Sequence, residues 1–208
     1  MNRLMAAMTE ANARMDALAL LEISSIARGY RVLDAMVKES PVTVVAANLV
    51  EPGKYLILFG GGVAEVDAAF RVGVDVAADT VVDRVFLPGV HPRVWTALAG
   101  ETVRAEVDTI GIIEAASVAG VIEAADRSLK EANVVLVGLR IAPALGGKGF
   151  YVVDGQQYDV EAAIEAGTAV LAGRGTLVHA ERIARPHPDF LAHLLRPAPF
   201  LINHPGGV

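Results

Sequence analysis

The sequence predicts an α+β chain built from two tandem ferredoxin-like (split βαβ) domains, on three observations. The first is a long internal repeat: Leu20-Leu21-Glu22-Ile23-Ser24-Ser25-Ile26-Ala27 recurs as Ile112-Ile113-Glu114-Ala115-Ala116-Ser117-Val118-Ala119, an offset of 92 residues. The offset of 92 holds for Asp34 with Asp126, Lys38 with Lys130 and Glu39 with Glu131. It becomes 94 for Gly53-Lys54 with Gly147-Lys148, Val66 with Val160 and Gly73 with Gly167, and 96 for His91-Pro92 with His187-Pro188. A unit of this length is too long for a solenoid repeat, so each copy is a whole small domain. The second observation is the order of hydrophobic periods within each copy: strand, helix, strand, strand, helix, strand. The third is size and composition. The 208 residues hold two units of conventional domain size, and 53% apolar with only 5% aromatic residues predicts cores of Val, Ile, Leu and Ala.

In chain order, residues 17–23 read as a strand, and Ile26, Tyr30, Leu33 and Val37 place an apolar stripe on a helix over 26–38. Residues 42–47 are β-branched and follow Pro41, which predicts a second strand. Glu51-Pro52-Gly53-Lys54 is a turn signal, with Pro and Gly in the central positions, leading to a third strand over 55–59. Gly60-Gly61-Gly62 ends that strand, Val66, Ala69, Phe70 and Val74 form the stripe of a helix over 64–78, and a fourth strand covers 81–87. The second copy repeats the order at 109–114, 119–130, 134–140, 150–153, 160–171 and 177–183. The charged run around residues 101–108 marks a linker between a first domain over 17–100 and a second over 109–195. Residues 1–16 form a leader, read as disordered or as a short docking helix. Residues 196–208, with Pro197, Pro199 and Pro205, form a tail that cannot continue a helix.

Composition excludes several functions. No apolar run approaches the roughly 18 residues of a membrane span, and the high mean hydropathy of +0.45 is better explained by subunit interfaces. Glu10 and Asp16 interrupt any signal-peptide core, which predicts a cytoplasmic protein. A net charge of −6 argues against nucleic acid. The chain has no cysteine, so disulfides, thiolate nucleophiles and Cys-ligated metals are absent together.

The segments LEISSIARGYRVLDAMVKES, PGKYLILFGGGVAEVDAA, IGIIEAASVAGVIEAADRSLKEANVVLVG and IARPHPD resemble the BMC domain of bacterial microcompartment shell proteins. Two fused, non-permuted copies are most similar to the tandem, trimer-forming type, and among these to the propanediol-utilization type that carries an iron–sulfur cluster. The resemblance implies a flat pseudohexameric homotrimer, tiled with other shell hexamers and pentamers in the bacterial cytoplasm, with a pore on its three-fold axis for small metabolites. It implies that the pore is lined by the loop after the second strand of each domain: Glu51, Pro52 and Gly53 in the first, Pro143, Ala144, Leu145 and Gly146 in the second. In the cluster-binding relatives a cysteine precedes the Pro-Gly-Lys. Here that position is Glu51, so no iron–sulfur cluster is expected. The resemblance also assigns Lys38, Lys130, Arg185 and His187 to tile-edge assembly. The first domain departs from the edge motif, with Gly89-Val90-His91 where the second has Arg185-Pro186-His187.

Other residues carry less. Of the five histidines, only His187 and His193 are close, at a spacing that does not share a helical face, so no metal site is expected. Gly60-Gly61-Gly62 and Gly146-Gly147-Lys148-Gly149 lack the full phosphate-loop pattern and read as hairpin glycines beside strands instead of strand-to-helix turns. Glu22 and Glu114 recur at equivalent strand ends, which suits a structural role at the subunit seam better than paired catalysis. No nucleophile and base stand at a useful spacing, so the chain does not read as an enzyme. The alternative to a shell tile is a soluble trimeric ferredoxin-like protein that binds a small regulatory molecule.

Overall fold

In a computed structural model, residues 15–103, 108–142 and 145–194 are described. The leader through residue 14, residues 104–107 of the linker and the tail lie outside them. The first domain contains β1 (Ala17–Ile23), α1 (Ile26–Glu39), β2 (Thr43–Val50), β3 (Lys54–Gly61), α2 (Val63–Ala77), β4 (Val81–Pro88) and α3 (Pro92–Leu98). The second contains β5 (Thr109–Ala115), α4 (Val118–Glu131), β6 (Val135–Ile141), β7 (Gly149–Gly155), α5 (Gln157–Arg174), β8 (Leu177–Ala184) and α6 (Pro188–Leu194). Each domain forms one antiparallel sheet, in the orders β2-β3-β1-β4 and β6-β7-β5-β8. This is the ferredoxin-like topology, and the two copies are unpermuted.

The repeated serines start the first helix of each domain. Ser25 Oγ accepts from Arg28 N at 3.3 Å and Ser117 Oγ from Gly120 N at 3.1 Å, each satisfying one of the unpaired donors of a helix N-terminus. Strand alternation then sorts the core. Ala17, Ala19, Leu21 and Ile23 point with Tyr55, Ile57 and Phe59 toward α1 and α2, while Leu18, Leu20, Leu56 and Leu58 point to the opposite face. That opposite face is also covered. Val94, Trp95 and Leu98 of α3 and the outer side of α4 pack on it, so the two domains share one core. A Cβ on Gly60 would stand 2.8 Å from the Trp95 ring, which is why glycine occupies that strand position.

The helices α3 and α6 escape the sequence reading, because seven residues hold too few turns to show a period. The Gly60-Gly61-Gly62 reading is corrected as well. These glycines do carry the chain from a strand into a helix, with Gly62 as the N-cap of α2. The α1 stripe is corrected more consequentially. Gly29, Val32 and Met36 are its buried residues, whereas Ile26, Tyr30 and Val37 of the expected stripe stay 39%, 57% and 46% exposed. The helix has a second apolar side that its own domain does not cover.

The copies have also exchanged volume across one contact. In the first domain Gly29 on α1 faces Tyr55, and a Cβ on it would lie 2.5 Å from the ring. In the second, Val121 on α4 faces Gly149, again with 2.5 Å to an added Cβ. Large on strand and small on helix becomes the reverse, and close packing is kept in both.

Candidate functional site

The β2–β3 and β6–β7 turns come together at one end of the molecule. Gly53 N donates to Val50 O at 2.9 Å to close the first turn, and the φ of 107° at Gly53 requires glycine. Glu51, Pro52 and Gly53 are all exposed. The second turn is closed by Ala142 N to Lys148 O at 2.9 Å and Leu145 N to Ala142 O at 3.0 Å, with Leu145 half-buried and Gly146 exposed. Pro143 and Ala144 lie outside the described residues. Gly147 touches the first turn directly: a Cβ there would stand 2.8 Å from Glu51 O, and Lys54 Nζ is 3.4 Å from Gly147 O.

Behind these turns lies the seam between domains, organised by Glu22. Its side chain is fully buried; Oε2 meets Lys54 Nζ at 2.6 Å and Oε1 accepts the Ala119 N–H, in the first turn of α4, at 2.8 Å. A carboxylate at a helix N-terminus is favoured by the aligned peptide dipoles, and the lysine supplies the countercharge. The structural role expected of Glu22 agrees with this geometry, but the seam it holds lies between the two domains of one chain and not between subunits. Lys54 and Gly147 were missed as members of the seam, although the sequence held a signal, since Lys54 recurs as Lys148 together with the glutamate. The second copy of the pair is left half-built, for Glu114 and Lys148 meet at 3.2 Å with side chains 38% and 50% exposed. Further along the seam, Asp126 Oδ1 accepts the His91 N–H at 2.7 Å, and Arg174 of α5 pairs with Glu123 and, on β4, with Asp83. Arg93 donates from Nε to Leu136 O on β6 at 2.9 Å, and desolvation holds its guanidinium below the usual arginine range, offset in part by Glu101.

The residues expected at tile edges occupy equivalent places in the two copies. Lys38 and Lys130 each pair at 2.6 Å with the aspartate one turn back, Asp34 and Asp126. His91 and His187 cap α3 and α6, each Nδ1 accepting a backbone N–H two residues on, at 3.2 Å and 3.3 Å. Arg185 takes a φ of 47° where its counterpart Gly89 takes 69°, and each donates its backbone N–H back across the sheet end at 2.7 Å, to Asp108 O and Asp16 O. An arginine held in that left-handed conformation costs about 1 kcal/mol or more relative to glycine.

The BMC domain model matches residues 17–90 and again 109–186. The chain belongs to the BMC-domain family. Along most of its length this BMC protein is 38% identical to the bacterial microcompartment shell protein PduT of Citrobacter freundii, over 171 residues that cover 82% of this chain and 93% of PduT. Single-domain relatives match one copy's length: the shell protein EutM of Escherichia coli is 36% identical over 83 residues, 40% of this chain and 84% of EutM. Among solved structures, a microcompartment protein from Desulfitobacterium hafniense superposes with a TM-score of 0.75 at 40% identity, covering 86% of this chain and 99% of that one. A fused, permuted hexameric shell protein from the RMM microcompartment reaches a TM-score of 0.57 at 22% identity, covering 76% and 84%, and shares the fold.

The cluster that the resemblance associates with some tandem BMC proteins does not fit these residues. Its ligands would be thiolates, the chain has no cysteine, and the turn offers the Glu51 carboxylate instead. One further carboxylate is out of keeping with its surroundings. Asp154, on β7 at the position of Gly60, is buried with Oδ1 unpartnered among the described residues. Burial pushes its carboxyl pKa up and Asp108 adds to this, while the Gly155 N–H pulls it part of the way back. A raised folded-state pKa makes the native state bind the proton more tightly, so stability is full at low pH and falls as pH rises through that value. Asp154→Asn is therefore expected to melt above the parent at pH 7 and level with it near pH 3, by thermal denaturation.

Proposed function

We propose that this BMC protein is a structural tile of a bacterial microcompartment shell, in which three copies close around a central pore that passes small metabolites. The observation that carries this is the unequal cover of two equivalent helices. Nine residues of α4 are buried against three of α1, because α4 packs its outer side on the back of the first sheet while nothing among the described residues covers the outer side of α1. The back of the second sheet, with Ile112, Phe150 and Ile183 only partly buried, is the matching open surface. If α1 of the next chain covers it as α4 covers the first sheet, a head-to-tail contact repeats, and alternating the two seams six times round an axis closes on three chains.

In such a ring the adjoining turns of each chain face the axis. Glu51, Pro52 and Gly53 would alternate with Leu145 and Gly146, and with Pro143 and Ala144, giving three acidic and three apolar loops around the pore. Three ionised carboxylates at a constriction favour cations and repel anions. Lys38, Lys130, Arg185 and His187 would lie along the outer edges, where tiles meet one another and other shell proteins in the cytoplasm.

Sedimentation of the purified chain should give a trimer, and co-expression with single-domain shell proteins should give sheets or closed shells by electron microscopy. Lys38→Ala with Lys130→Ala should leave trimers that no longer tile. Discrete trimers that never tile and tighten with one small molecule would overturn the tile in favour of a ligand-binding regulator; sheets unaffected by the double substitution would remove the two lysines from the edge.

A further inference from the structure

The two seams of such a ring occupy the same geometry but differ in chemistry. In the seam within the chain, α4 runs over β4 and β1 between two polar anchors, Ala119 N on Glu22 and His91 N on Asp126. Between the anchors the contact is apolar: Val85 and Ile122 are 4% and 0% exposed and belong to one buried cluster. Beside them Glu123 and Asp83, two acids, are bridged by Arg174.

Strand register and the repeat offsets give the corresponding residues between chains. Glu22 lies opposite Asp83 and Leu20 opposite Val85; Glu114 lies opposite His179 and Ile112 opposite Glu181. Asp83 thus corresponds to His179 and Val85 to Glu181. On the helices, an offset of 92 makes Ala119, Ile122, Glu123 and Asp126 correspond to Ala27, Tyr30, Arg31 and Asp34. Both anchors are retained, with Glu114 available to the Ala27 N–H and Asp34 to the His187 N–H. The middle is changed on both sides at once. Where the strand gains the acid Glu181, the helix gains the base Arg31 and the hydroxyl of Tyr30. Where the helix loses the acid Glu123, the strand loses the acid Asp83.

We propose that the partner of the open α1 face is the β5–β8 face of a second copy of this chain, and that Arg31 and Tyr30 of one copy meet Glu181 of the next as the charge key of that seam. The proposal rests on the trimer reading above. The groups concerned are open to solvent: Tyr30 is 57% exposed and Arg31 exposed, and among the described residues the Glu181 side chain, 63% exposed, pairs only with the similarly exposed His179 at 2.8 Å. A paired acid and base exposed in the separate chains also keeps them soluble, where a second Val85–Ile122 contact would leave a larger apolar patch open. The key gives specificity, since a face with a base at the Glu181 position would repel Arg31.

The test is a charge-swap cycle read by sedimentation equilibrium in low salt. Glu181→Arg and Arg31→Glu should each raise the concentration for half-dissociation of the trimer by at least about tenfold, and the double variant should recover most of the parent value. Circular dichroism should be unchanged in all three, since both residues are exposed. Single variants that associate as the parent does, or a double variant no better than the worse single, would overturn the key while leaving the trimer intact. A parent that remains monomeric would instead overturn the trimer reading itself.

Discussion

Replacing Glu22 by alanine is expected to cost the folded chain about 3–5 kcal/mol, read as a lower urea midpoint with an unchanged slope. The carboxylate is completely buried, and its removal leaves the Lys54 ammonium, 13% exposed, without its countercharge and the Ala119 N–H without an acceptor. Breaking one side of a buried pair is costly because the other side stays behind uncompensated. Glu22→Gln keeps an acceptor for the Ala119 N–H but not the charge, so it should fall between. The internal control is Glu114→Ala. It removes the same residue from the other copy, where the pair is half exposed, and should change the stability of the separated chain by no more than about 1 kcal/mol. In the assembled trimer the order of effects should alter, since Glu114 then has an N–H of the next chain to satisfy. Equal costs for the two alanine variants in the separated chain would show that Glu22 is not the keystone of the domain seam.

The comparison of these two glutamates also marks how far the sequence can be read alone. The repeat, the strand at residues 17–23 and the order of twelve elements are local signals, carried by spacing, and they match the fold. The burial of Glu22 is not local. It depends on α4, 97 residues away, presenting an N–H to it, and the equivalent position in the repeat leaves Glu114 half exposed. The same limit explains α1. Periodicity finds that Ile26, Tyr30, Leu33 and Val37 share a side but cannot say whether that side meets its own sheet or another chain's. The seven-residue helices α3 and α6 open on Pro92 and Pro188, and α3 is anchored by tertiary packing through Trp95 and Leu98. The reading of the β2–β3 and β6–β7 turns as pore loops comes only from the family resemblance. Their contact at Gly147 and Lys54 links turns about 90 residues apart, and its one trace in the sequence is the recurrence of Lys54 as Lys148.

Glu51→Lys is expected to reverse the charge selectivity of the pore, measured as the reversal potential of trimers in planar bilayers or as flux into assembled shells. Lys54, the nearest base in the same turn, is already neutralised by the buried Glu22, so Glu51 is the charge that the turn offers to solvent. If three such carboxylates stood about 7 Å apart, each would lie about 4 Å from the axis and attract a monovalent cation there by about 1 kcal/mol at the dielectric of bulk water. Their sum, about 3 kcal/mol, is reduced by salt but exceeds the thermal energy several-fold, and it grows where the constriction excludes water. Glu51→Gln removes this field and should bring the cation-to-anion ratio down by about tenfold or more; Glu51→Lys should carry it below one. Glu51 is exposed at this turn, so both variants should fold and assemble as the parent does. If all three proteins pass cations and anions in the same ratio, the Glu51 ring does not set passage through the shell, and the apolar loops of the second domain become the constriction that does.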